Sequence, residues 1–139
     1  MKHSTGPMNA VERAYVDACK GTFVCVACWL WEQSGHAPAM FTGLCGHLEF
    51  NHMKSGNVRI GHLWGYSLGS WHHQGRVIEG FTHAQMRKQF GPSLADGSAL
   101  FRDTYGDAAS MLEAQDEILR GHGIAPPARP DNRRWSHAA

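Results

Sequence analysis

The chain has 139 residues, four cysteines, ten histidines and a formal net charge of +1. That length suits one domain with a modest core. No apolar run approaches the ~18 residues of a membrane span, and the start, MKHSTGPMNAVERAYVDACK, lacks the apolar centre of a secretory signal, so a soluble intracellular protein is expected.

In chain order, MNAVERAYVDACKG predicts an amphipathic helix with an apolar stripe of Met8, Val11, Tyr15 and Ala18, stopped by Gly21 and carrying Cys19 as core. TFVCVACWLW is aromatic and β-branched and predicts a strand or turn bearing Cys25 and Cys28. Residues 32–46 read as a loop, HLEFNHM as a short strand, and Gly56-Asn57 as a tight connection. LWGYSLGSWHHQG fits either a short helix or a strand followed by a helix. THAQMRKQF predicts a helix begun at Thr82 and closed by Gly91, and SALFRDTYG a short helix. The last helix starts at the Asp107 cap and carries Ala108, Met111, Leu112, Gln115, Ile118 and Leu119 at helical spacing. Residues 1–121 then form one domain, and the Pro/Arg-rich 122–139 is expected to be a mobile tail.

Cys25-x-x-Cys28 offers two thiolates to one face of a tetrahedral zinc, with His72, Cys45 and His47 as candidates to complete a structural site. A redox pair is the competing reading. Zinc does not use up the histidines: His52, His62, His72 and His73 crowd residues 49–75. Phosphodiester hydrolysis needs a base and a divalent cation, and His52 and His73 can supply base and ligand, with the Asn51 amide oxygen suited to a hard cation. In a strand, however, Asn51 and His52 point to opposite faces, so both reach one phosphate only where the strand ends or bends. Charge is sorted too: Lys54, Arg59, Arg76, Arg87 and Lys88 stand against Glu79 alone between residues 51 and 91, while residues 96–117 hold six acids and one arginine. A basic patch can exist on a nearly neutral chain.

The order C-x-x-C, EFNHMKSG, GHLWGYSLGSWHH and FGPSLADGSALFRDTYG resembles the phage Ref family of recombination-enhancement, RecA-dependent DNA nucleases, from about Cys25 to about Leu119. That resemblance implies an α+β fold: a small ββα-metal core of the HNH kind with flanking helices and a zinc-stabilised irregular centre. It implies His52 as general base, His73 and Asn51 as ligands of a catalytic Mg²⁺ or Mn²⁺, His62 as a contact to phosphate or water, and His72 joining Cys25 and Cys28 on zinc. It also implies DNA and a RecA filament as partners, in the cytoplasm of a bacterial host of the encoding phage or prophage, with no membrane association. Lys54, Arg59, Arg76, Arg87 and Lys88 would meet backbone phosphates, and Arg133, Arg134 and Trp135 would suit single-stranded DNA. Two positions depart from the family pattern. Gly69 stands where a zinc-binding cysteine is expected, leaving Cys45 or His47 to take over, and Asn51 replaces a charged or imidazole ligand. The alternative these departures favour is a zinc-stabilised DNA-binding recombination accessory protein with little or no catalysis.

Overall fold

Asn9 opens the first helix, α1 (Ala10–Gly21), through a reciprocal cap in which its side chain accepts from the Glu12 N–H and the Glu12 carboxylate accepts from the Asn9 N–H, both at 2.8 Å. The computed structural model describes residues 6–36 and 45–130. Tyr15, Val16 and Cys19 form the buried side of α1, as a 3.6-residue repeat requires. Cys19 is core, as expected, but Val11 is 60% exposed, so the predicted stripe is one turn too long. Val11 lines an apolar groove with Leu119, Ile124 and Pro127 instead.

The cysteine pair sits on neither strand nor turn. Cys25 is the N-cap of a second helix, α2 (Val26–Gln33), and Trp29 N–H bonds back to the Cys25 carbonyl at 3.0 Å. Strand propensity is a weak prior that tertiary packing overrides. Here the helical turn brings positions 25 and 28 to one side and buries Val26 and Ala27 with them.

Strand β1 (Leu48–His52) pairs antiparallel with β4 (Gly65–Gly69), in the register Glu49↔Leu68, Asn51↔Tyr66 and His52↔Gly65. Between them β2 (Lys54–Ser55) and β3 (Val58–Arg59) make a small hairpin, turned by Gly56 at φ +66°. A β-carbon at Gly65 would stand 2.5 Å from the Phe50 ring, so glycine there is what lets β4 lie close on β1. Every residue of β4 is buried. Part of its backbone is satisfied by helix side chains rather than by another strand: the Tyr15 hydroxyl donates to the Gly65 carbonyl at 2.7 Å, and the Ser67 N–H donates to Gln115 Oε1 at 2.8 Å.

β4 runs without a loop into α3 (Ser70–Gln74), which Gly75 ends in the left-handed conformation. The second reading of LWGYSLGSWHHQG, strand then helix, is therefore the observed one. The helices α4 (His83–Phe90) and α6 (Ala108–Gly121) begin where their caps predict, on a Thr82–Gln85 capping box and on Asp107, and α5 (Ser98–Tyr105) is the short helix expected there. Trp71, Leu68, Phe90, Met86, Met111 and Leu119 are fully buried and join the strand pair to these helices. The result is a mixed α+β domain. The chain beyond α6 includes a held residue: Arg129 pairs with both Asp116 carboxylate oxygens at 2.7 and 3.0 Å, donates to the Leu63 carbonyl, and lies 5.1 Å from the Tyr15 ring centroid. Arg133, Arg134 and Trp135 lie outside the described residues. No described helix is long and apolar enough to cross a membrane.

Candidate metal centre and catalytic strand

Three elements deliver one buried donor cluster. Cys25 and Cys28 come from the start of α2, Cys45 from the segment ahead of β1, and His72 from α3, and their donor atoms lie within 4.8 Å of one another. His72 Nδ1 is 3.0 Å from Cys45 Sγ, 3.4 Å from Cys25 Sγ and 3.7 Å from Cys28 Sγ, while Cys45 Sγ and Cys25 Sγ are 3.9 Å apart. Tetrahedral bonds to zinc of about 2.3 Å from sulfur and about 2.0 Å from nitrogen would separate ligands by about 3.8 and about 3.5 Å. The donor set therefore fits a structural zinc in both chemistry and spacing.

The surroundings set the tautomer this needs. His72 Nε2 lies 2.8 Å from the Phe90 carbonyl, which can only accept, so Nε2 carries the hydrogen and Nδ1 turns its lone pair on the three sulfurs. Tyr105 backs the ring: its oxygen is 2.9 Å from His72 Nε2, and its hydroxyl reaches the Pro92 carbonyl at 2.7 Å. Acidity divides among the thiols. Burial pushes Cys25 up, but sulfur contacts from Cys28 and Cys45 and the His72 ring hold it well below the usual thiol range. Cys28 and Cys45 are pushed above that range, Cys28 by its contacts with Cys25 and Cys45, and Cys45 chiefly by burial. All three are fully buried, a poor arrangement for a redox pair that must touch a substrate disulfide.

Of the two candidates for the fourth donor, Cys45 is in the cluster and His47 is exposed outside it. Gly69 explains how. A β-carbon built there would stand 2.5 Å from Cys45 Sγ, so Cys45 fills the space a side chain at position 69 would enter. Glycine at position 69 is what leaves the Cys45 thiol room to reach the cluster.

Strand β1 carries the remaining histidine chemistry. Alternation puts Glu49 and Asn51 on one face and Phe50 and His52 on the other, and His52 is the last paired residue. On the first face, His73 Nδ1 meets Glu49 Oε1 at 2.6 Å, and the Gln74 amide donates to the same oxygen at 3.0 Å. Asn51 lies opposite Tyr66; burial pushes that phenol up to about 12, with a hydrogen bond to Asn51 opposing. On the second face, His52 Nε2 is 3.1 Å from His62 Nδ1, and His62 Nε2 is 2.8 Å from the Gly6 carbonyl. Burial lowers the His52 pKa to about 4, helped by Arg59, His62 and Lys54. His62 is only 4% exposed. Among the described residues no hydrogen bond or ion pair joins the His52–His62 pair to the His73–Glu49 pair.

The chain matches the family model described as "Recombination enhancement, RecA-dependent nuclease" over residues 8–120. It belongs to that family. No curated protein and no solved structure matches it. The family is one of nucleases that act in recombination enhancement and depend on RecA, which makes DNA the partner to expect.

The predicted basic residues fall in two groups. Lys54 and Arg59 are directly opposed across the β2–β3 hairpin, and both act on His52 through space. Arg76, Arg87 and Lys88 are exposed on and ahead of α4, Arg87 lying 3.9 Å from Asp96. His83 pairs with Asp96 at 2.9 Å and meets the Trp71 ring edge-on. Sequence reasoning missed Glu49 as the partner of His73, Tyr105 behind His72, and Gly6 behind His62. Glu49 stands two residues before Asn51 on the same strand face, a usable signal; nothing local marks Tyr105 or Gly6.

Proposed function

We propose that this family member is a metal-dependent DNA endonuclease that hydrolyses phosphodiester bonds on RecA-associated DNA. The observation that carries the reading is topological: the antiparallel pair β1–β4 continues directly into α3, so Glu49, Asn51, His52 and His73 belong to one β-β-α element. That is the arrangement expected of an HNH-like core.

In this reading His52, neutral near pH 7 because its pKa lies near 4, accepts the proton of the water that attacks phosphorus. Its place as the last residue of β1 is what would let it turn toward a phosphate that Asn51 also approaches. His73 and Asn51 would hold Mg²⁺ or Mn²⁺. Glu49 takes the His73 Nδ1–H and so leaves Nε2, which has no partner among the described residues, as the ligand atom. Asn51 would offer its side-chain oxygen to the same cation. The cation, when bound, supplies charge stabilisation at the scissile phosphate and leaving oxygen. Lys54 and Arg59 hold the DNA backbone beside His52, with Arg76, Arg87, Lys88, Arg133 and Arg134 extending the contact. Zinc on Cys25, Cys28, Cys45 and His72 fixes α3, and with it His73, the next residue after a zinc ligand. Such a chain would work in the cytoplasm of a bacterial host that carries the encoding phage or prophage.

The test is a nicking assay on single-stranded and duplex DNA with Mg²⁺ or Mn²⁺, with and without a RecA filament. Wild type should cut, and His52→Ala should cut about 10²–10⁴-fold more slowly with DNA binding retained. Binding without cutting in every condition would replace the nuclease by a zinc-stabilised recombination accessory protein.

A further inference from the structure

The His52–His62–Gly6 chain has a direction. The Gly6 carbonyl oxygen can only accept, so His62 Nε2, 2.8 Å away, carries a hydrogen. A neutral His62 ring then has a bare Nδ1. His52 Nε2 faces that atom at 3.1 Å and must be the donor. A neutral His52 ring with hydrogen on Nε2 is bare at Nδ1, which has no partner among the described residues. One backbone carbonyl, read through one buried imidazole, therefore selects which nitrogen of His52 holds a lone pair.

We propose that His62 is a positioning residue that fixes the His52 tautomer, and that Gly6, ahead of α1, is its anchor. The assignment rests on the reading of His52 as the base. It gives His62 a task consistent with its burial and with the engagement of both its nitrogens, neither of which suits a phosphate contact. The His52 ring is further held edge-on between Phe50 (5.0 Å) and His62 (5.2 Å), so the ring plane as well as the tautomer is set. Gly6 lies just outside the segment matched to the family, 8–120. Residues ahead of that segment thus complete the site.

Long-range proton–nitrogen NMR on the full chain labelled at histidine nitrogens reads the tautomer directly. In wild type, His52 should show hydrogen on Nε2 and a bare Nδ1. His62→Phe, which keeps a ring and removes the acceptor, should leave His52 in a tautomer mixture and lower kcat about 10–100-fold with KM for DNA little changed. His62→Asn, whose amide oxygen can stand near the lost Nδ1, should restore the Nε2–H form. Hydrogen on Nδ1 of His52 in wild type would overturn the proposal, and so would an unchanged tautomer in His62→Phe. The wild-type spectrum decides even if a variant fails to fold. It is also independent of cutting: the predicted tautomer together with full activity of His52→Ala would refute the base while leaving the chain of bonds intact.

Discussion

Moving the fourth thiol from position 45 to position 69 is the sharpest test of the metal centre. Structural zinc in small domains contributes roughly 10–16 kcal/mol of binding free energy, or about 2.5–4 kcal/mol for each of four ligands. Cys45→Ala should therefore weaken zinc by about 10²–10³-fold and destabilise the fold, because those donors tie α2, the segment before β1 and α3 together. Gly69→Cys alone should also harm, since its β-carbon would stand 2.5 Å from Cys45 Sγ. The double variant Cys45→Ala/Gly69→Cys places a new thiol in the space the old one leaves, and its backbone there is ordinary for any residue, at φ −67°. It should recover most of the affinity lost in Cys45→Ala. Zinc competition with a chromophoric chelator, alongside total metal analysis, measures all four proteins; wild type should hold about one zinc per chain. A double variant no better than Cys45→Ala would refute the idea that position 69 can supply the fourth donor, and a Cys45→Ala protein that binds zinc like wild type would remove Cys45 from the site.

Arg129→Ala should lower stability by about 1–3 kcal/mol, because it strands a mostly buried Asp116 and breaks the tie to Leu63. Arg129→Lys should recover little, lacking the forked geometry; a urea midpoint equal to wild type in the alanine variant would show the contact to be idle. Asp96 gives a pH prediction. Burial pushes its carboxyl up, but the Ser93 N–H, His83 and Arg87 outweigh this and hold it below the ordinary 3.8. A depressed carboxylate contributes stability that is present above the unfolded pKa and lost as pH falls through the folded one. Carboxyl NMR titration should place Asp96 below 3.8, and a value at or above it would refute the network.

Much of the helical layout was legible because helix ends are local events. Asn9, Thr82 and Asp107 each bond within three residues, and the Gly56-Asn57 turn closes a hairpin across two. Cys25-x-x-Cys28 pointed to the metal cluster for the same reason, since spacing and residue type are visible without a fold. The strand or turn expected around those cysteines failed where propensity met packing: a helical turn is what brings both sulfurs to His72, 44 or more positions away. Which of Cys45 and His47 completes the cluster, which carbonyl faces His62, and which acid holds His73 depend on contacts spanning 24 to 56 positions. Sequence by itself determined the donors and the local caps. Only the tertiary structure decided the partners, because a hydrogen bond or a ligand cage is a matter of a few tenths of an ångström between residues that meet only once the chain has closed on its core.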